Sequence, residues 1–131
     1  MNLIGKYLLD TNITIAFFAG DPGVQEKVRT AEYIAVAPPI IGELCFGAQK
    51  SNEVTENLHK IDILVQQSLV FSCDLETAQW YGIIKERLER KGRLIPNNDI
   101  WIAAIAMQHD LILVTRDTHF DEVEALQTER W

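Results

Sequence analysis

The sequence predicts an α/β protein of three layers, with a mainly parallel central sheet covered by helices on both faces. Two observations carry that expectation. Short strand-like apolar runs alternate with helix-length segments along the whole chain, so successive strands are joined by right-handed crossovers. One segment, Ile100 to Met107, is apolar on nearly all its helical faces, which marks a buried helix. A chain of 131 residues without internal repeat, low-complexity tract or linker then reads as one domain over residues 1–131.

The elements follow in order. Ile4 to Leu9 reads as a short buried strand, and Thr11 or Asn12 caps a helix that runs through Ala19. Gly20-Asp21-Pro22-Gly23 stops it, and a more polar helix spans Val24 to Ala31. Tyr33 to Ala37 is strand-like. Pro38-Pro39 suits the first turn of a helix to about Gln49. Ser51, with Val54, Leu58, Ile61 and Val65 at helical spacing, opens another helix. Leu69 to Cys73 is a third strand, and Asp74 or Thr77 caps a long helix ending near Gly92. Asn97 or Asn98 caps the apolar helix. Leu111 to Thr115 is a fourth strand, and Leu126 to Trp131 a short last one.

Bulk properties narrow the class. With 47% hydrophobic and 24% charged residues the chain is globular, and its apolar runs are too short for a membrane span. No basic-then-apolar stretch with a small-residue cleavage site opens the chain, which predicts no secretion signal. Cys45 and Cys73 stand alone, which suits a reducing cytoplasm, and Cys45 reads as a small buried hydrophobe. A net charge of −7 argues against a passive, basic nucleic-acid coat. Within it, Lys85 to Arg93 holds five basic and two acidic residues, a local +3. Lys85, Arg87, Arg90, Lys91 and Arg93 are either a solvated helix end with cations at its C-terminus or an edge that tracks phosphates. Arg116 is a further candidate contact. The adjacent aromatics Phe17-Phe18 and Trp80-Tyr81 each leave one ring to find a place, in the core or at a partner contact.

Four acids stand at special places. Asp10 closes the first strand and Asp117 follows the fourth, both at the carboxyl edge where open parallel sheets bind ligands. Glu43 and Asp99 lie about one turn into helices that start near the same edge. Each has an ordinary use alone: Asp10 as a helix cap, Asp99 favoured by a helix dipole, Asp117 as a turn residue, Glu43 on an exposed stripe. Glu43 fits its use least well, because a carboxylate among Ile40, Ile41, Leu44 and Cys45 is costly unless exposed, paired or coordinated. If the four converge they repel, and a cation is needed to hold them. All-oxygen donors select magnesium or manganese, and no paired Cys/His spacing points to zinc. His59 and His109 read as surface or core residues, while His119, two residues beyond Asp117, can approach the acids. Such a site acts on phosphates, orienting a water and stabilising a leaving oxygen. Thr11, Asn12 and Thr115 are short polar neighbours able to orient the carboxylates or water.

The pieces LLDTN around Asp10, IIGELCFGA around Glu43, PNNDIWIAAIA around Asp99 and LVTRDTHF around Asp117, with a closing LQTERW, resemble the PIN-domain ribonucleases. The resemblance spans essentially the whole chain, least in the stretch between Glu43 and Asp99. It is nearest to the VapC-type toxins of bacterial and archaeal toxin–antitoxin pairs. It implies a three-layer α/β/α PIN-like domain that hydrolyses RNA phosphodiester bonds with Mg2+ or Mn2+. It gives Asp10, Glu43, Asp99 and Asp117 the role of metal ligands, supported by Thr115. It also implies a homodimer, and a small VapB-like antitoxin whose C-terminal segment covers the active site. The chain departs from the family pattern at Asn98, where alanine is frequent, with bulky Trp101 nearby; both bear on groove shape and substrate, not on the acids. Two other readings stand beside it. One is a non-catalytic PIN-like module that binds RNA or protein. The other is an aspartate-based phosphotransfer protein, for which Asn12 stands where a second aspartate is wanted.

Overall fold

The computed structural model describes residues 6–131. Five strands form one sheet: β1 (Lys6–Leu9), β2 (Tyr33–Val36), β3 (Leu69–Val70), β4 (Ile112–Val114) and β5 (Thr128–Glu129). Their order is β3-β2-β1-β4-β5, and every neighbouring pair is parallel. The expected start of the first strand, Ile4 and Gly5, lies outside the described residues. Six helices connect the strands: α1 (Thr11–Phe18), α2 (Pro22–Thr30), α3 (Pro38–Gln49), α4 (Val54–Gln66), α5 (Leu75–Arg90) and α6 (Asn97–His109). A five-residue 3-10 turn, Thr118–Glu122, follows β4.

The three layers follow from the two-residue period of strands. Leu8, Ala35 and Leu113 send their side chains to one face, where α3, α4, α5 and α6 build the larger core around Ile40, Ile84, Leu88 and Ile105. Leu9 and Val114 point to the other face, against Ile13 of α1 and Val24 of α2. The adjacent aromatics divide likewise: Phe18 packs on the larger core and Phe17 on the smaller. Trp80 and Tyr81 both lean on the larger one. Trp131 closes the smaller core edge-on to Tyr7, with ring centres 5.1 Å apart.

Several boundaries differ from the sequence expectation, for local reasons. The cap of α1 is Asp10, not Thr11 or Asn12: its carboxylate accepts the Thr11 N–H at 2.8 Å while its backbone remains extended from the strand. Asp21 caps α2 by accepting from Val24 N, so that helix starts at Pro22. Gly20, at φ 84°, makes the turn between them possible without a Cβ penalty. Ser51 sits in a turn, its hydroxyl donating to the Ala48 carbonyl and accepting from Asn57, and α4 begins three residues later. The third strand shrinks to Leu69–Val70, since it pairs only with Ala35 and Val36. Pro96, not Asn97 or Asn98, precedes α6, and no side chain caps that helix. Asp74 and Thr77 both serve α5, as a reciprocal capping box. The all-round apolar character of α6 is borne out: Ile100 and Ile102 through Ala106 are buried, so the helix that carries Asp99 is fixed on every side.

Candidate active site

The strand order changes direction between β1 and β4, which makes the carboxyl ends of these two strands the switch point of the sheet. Asp10 sits there, 5% exposed, with its amide bonded to the Val114 carbonyl at 3.0 Å as an extension of the ladder. Its carboxylate is held on both oxygens. Oδ1 accepts from Thr11 N; Oδ2 accepts from Thr115 Oγ1 at 2.7 Å and from Asn12 Nδ2 at 3.3 Å. The Thr115 hydroxyl in turn accepts the Asp117 N–H at 2.9 Å. Asn12 Oδ1 accepts the Arg116 N–H, which pins the start of the loop that carries Asp117.

Asp99 enters from the first turn of α6, and the 3-10 turn brings His119 back between the two later acids. His119 N donates to Asp117 Oδ1 at 2.9 Å, and its Nδ1 lies 3.2 Å from both Asp99 Oδ2 and Asp117 Oδ1. Glu43 reaches in from α3 and accepts a hydrogen bond from the Thr11 hydroxyl. The four acids thus form one linked chain: Glu43 through Thr11 to Asp10, through Thr115 to Asp117, through His119 to Asp99. The tightest part of the site is Asp99, Asp117 and His119, one donor atom of each lying within 4.8 Å of the others.

The electrostatics match the crowding. Burial holds the Asp10 carboxyl above its ordinary value against the pull of Thr115 and Thr11, and the charges of Glu43 and Asp117 add to the rise. Burial likewise raises Asp99, opposed by the hydrogen bond from His119 and reinforced by Asp10 and Asp117. Arg116 does not neutralise them. Its guanidinium turns away to the Trp131 carbonyl oxygen at 2.8 Å and to Asp21 at 3.2 Å. Partly buried carboxylates gathered beside an imidazole, with the adjacent arginine turned elsewhere, are a donor set that fits a divalent cation.

The basic segment is divided. Arg90 pairs with Glu86, Lys91 bonds the Glu122 carbonyl, and Lys85 lies over the Tyr81 ring, 5.6 Å from its centre. Tyr81 stacks on Trp101 at 4.2 Å and donates to Asn97, so this aromatic pair flanks the start of α6. Sequence reasoning weighed His119 but could not see its reach, because only the tight 3-10 turn folds a D-x-H spacing back onto its own aspartate.

A parallel sheet with acids from four chain segments at its switch point defines an α/β protein with a clustered acidic site. The chain belongs to the PIN domain family, whose model matches residues 7–126. It is 35% identical to Ribonuclease VapC2 of Haemophilus influenzae over 129 residues, 96% of this chain and 98% of that one. It is 34% identical to the tRNA(fMet)-specific endonuclease VapC of Shigella flexneri, with the same coverage. Among solved structures, VapBC2 of Rickettsia felis bound to a promoter DNA fragment superimposes with a TM-score of 0.88 at 28% identity, covering 95% of this chain and 98% of that chain. The expected α/β/α fold is borne out, with a sheet that is wholly parallel. Membership of this family sets aside the phosphotransfer reading. No helix among the described residues is long and apolar enough to cross a membrane.

Proposed function

We propose that this chain is an endoribonuclease dependent on Mg2+, with Mn2+ able to replace it, and the toxin of a VapBC-type toxin–antitoxin pair. It acts as a single domain over residues 1–131, as a homodimer in the cytoplasm. The observation that carries the reading is the linked chain of Glu43, Asp10, Asp117 and Asp99 at the β1/β4 edge. Its relatives include ribonucleases, one named for its specificity for an initiator tRNA. Neighbouring structures are toxin–antitoxin complexes.

Asp10, Glu43, Asp99 and Asp117 are the residues that would hold the cation. A bound divalent ion lowers the pKa of a water and stabilises charge on the departing oxygen of a phosphodiester. The protein's part is positioning. The Thr11 amide holds Asp10 Oδ1 while Thr115 and Asn12 hold Oδ2, the Thr11 hydroxyl holds Glu43 at the rim, and the buried α6 keeps Asp99 in place. Lys85, above the Tyr81 ring beside the start of α6, offers positive charge to the RNA backbone beyond the scissile bond.

A groove of about 390 Å3 between α1, α3 and α4 supports the antitoxin assignment: Ile15, Phe18, Gly47 and Ile61 line it together with Glu43. An apolar antitoxin segment laid there reaches the acids.

The test is cleavage of RNA, an initiator tRNA included, by purified chain with Mg2+ or Mn2+, beside an Asp10→Asn variant and a chelator control. Metal-dependent cleavage by the wild type alone is expected. Equal cleavage by the variant rejects the reading.

A further inference from the structure

His119 is the one imidazole at the acidic site, and the oxygen-only ligand set expected from the sequence has no use for it. His59 is exposed on α4, and His109 stacks on Phe71 at the far end of α6. His119 is different: its Nδ1 stands 3.2 Å from one oxygen of Asp99 and 3.2 Å from one oxygen of Asp117. Neighbouring donors on an octahedral ion, each about 2.1 Å from it, are about 3 Å apart. Both separations are therefore those of adjacent ligands around one cation.

Two further observations favour ligation over simple support of the carboxylates. Asp117 Oδ1 is already fixed by the backbone N–H of His119, so the ring is not required to orient it. The most compact donor set consists of two carboxylates, Asp99 and Asp117, and this nitrogen. A neutral nitrogen adds a donor to this crowded site without adding charge.

We infer that His119 Nδ1 is a direct ligand of the cation held by Asp99 and Asp117, and that it biases the site toward Mn2+ over Mg2+. The chemistry is that of the donor: Mg2+ is a hard ion that takes oxygen and keeps its waters, while imidazole favours transition metals. The inference rests on the metal-dependent reading above but is separable from it, because it concerns binding and not turnover.

The experiment uses the full chain freed of metal and then loaded with Mn2+ alone. Pulsed electron paramagnetic resonance reads 14N coupling to the bound ion, and calorimetry gives Mn2+ and Mg2+ affinities in parallel. The expected result is 14N modulation in the wild type and in His59→Ala, and none in His119→Ala. Mn2+ affinity drops about tenfold or more in His119→Ala, at least the loss typical of removing an outer partner of a ligand, while Mg2+ affinity changes little. His119→Asp, which restores a donor as oxygen, binds without 14N modulation and with a lower Mn2+-to-Mg2+ affinity ratio. Mn2+ bound without 14N modulation in the wild type, modulation that survives in His119→Ala, or equal losses for both ions overturns the inference. Cleavage of RNA is scored on the same samples. A nitrogen-coupled ion with no cleavage overturns the ribonuclease reading and leaves this ligand standing; cleavage without coupling does the reverse.

Discussion

Thr115 Oγ1 donates to Asp10 Oδ2 at 2.7 Å and accepts the amide of Asp117 at 2.9 Å, so one buried hydroxyl sets the distance between two acids on neighbouring strands. Thr115→Val keeps the shape and removes both bonds. Cleavage is expected to fall roughly 10–100-fold, the usual loss when a partner that orients a metal ligand is deleted. Stability is expected to drop by about 1–3 kcal/mol, because the Asp117 amide loses its partner and Asp10 Oδ2 keeps only the longer bond from Asn12. Thr115→Ser should recover most of both. Full activity in the valine variant contradicts the positioning role.

The titration of the acids gives the metal-free chain a distinctive pH profile. Asp10 and Asp99 bind a proton more tightly folded than unfolded, since burial raises both. Their contribution is therefore fully favourable below the ordinary carboxylate value and is lost as pH rises through the raised values. Asp74 and Asp21 act in the opposite sense. The Thr77 amide lowers the first and the Val24 amide the second, so the stability they give is present above about pH 4 and lost as pH falls below it. Melting temperature in chelator should thus decline as pH rises above the ordinary carboxylate range, and saturating Mn2+ should remove the decline. A flat profile in chelator refutes the burial account.

Gly47 faces the groove beside Glu43, and a Cβ built there meets no heavy atom within 4 Å beyond its own stretch of helix. Gly47→Arg should fold normally and cleave RNA, while losing affinity for the antitoxin by about tenfold or more, roughly 1.4 kcal/mol. Titration of the antitoxin against residual ribonuclease activity measures this. Unchanged inhibition moves the antitoxin elsewhere.

Asn98 carries a buried Nδ2 with no hydrogen-bond partner among the described residues, at the position where the family often has alanine. Removing an unsatisfied donor from a helix stabilises. Asn98→Ala should gain about 1 kcal/mol, read as a higher urea midpoint at unchanged slope. A loss of stability indicates that the amide is satisfied in solution.

Much of this site was legible in the sequence because strand ends and helix starts are local signals. LLD and LILVTRD announce carboxylates at the sheet edge, and Glu43 stands out by its apolar neighbours. The caps were less legible. Asp10 ends a strand and caps a helix at once, so its use as a cap and its place at the sheet edge, which the sequence offers as alternatives, hold together. Arg116 shows the limit most clearly: beside Asp117 in sequence it reads as an RNA contact, yet its guanidinium is engaged by Asp21 and the Trp131 carbonyl. Those partners lie 95 and 15 positions away, and only the sheet order brings them together.

The pairing of Leu9 with Val114, and of Asp10 with Thr115 just beyond, joins positions 105 residues apart. Contacts of such span close late, after the intervening crossovers have formed. A nascent or partly folded chain therefore possesses the acids without the groove. Cleavage of RNA is therefore expected only once the central strand pair has closed.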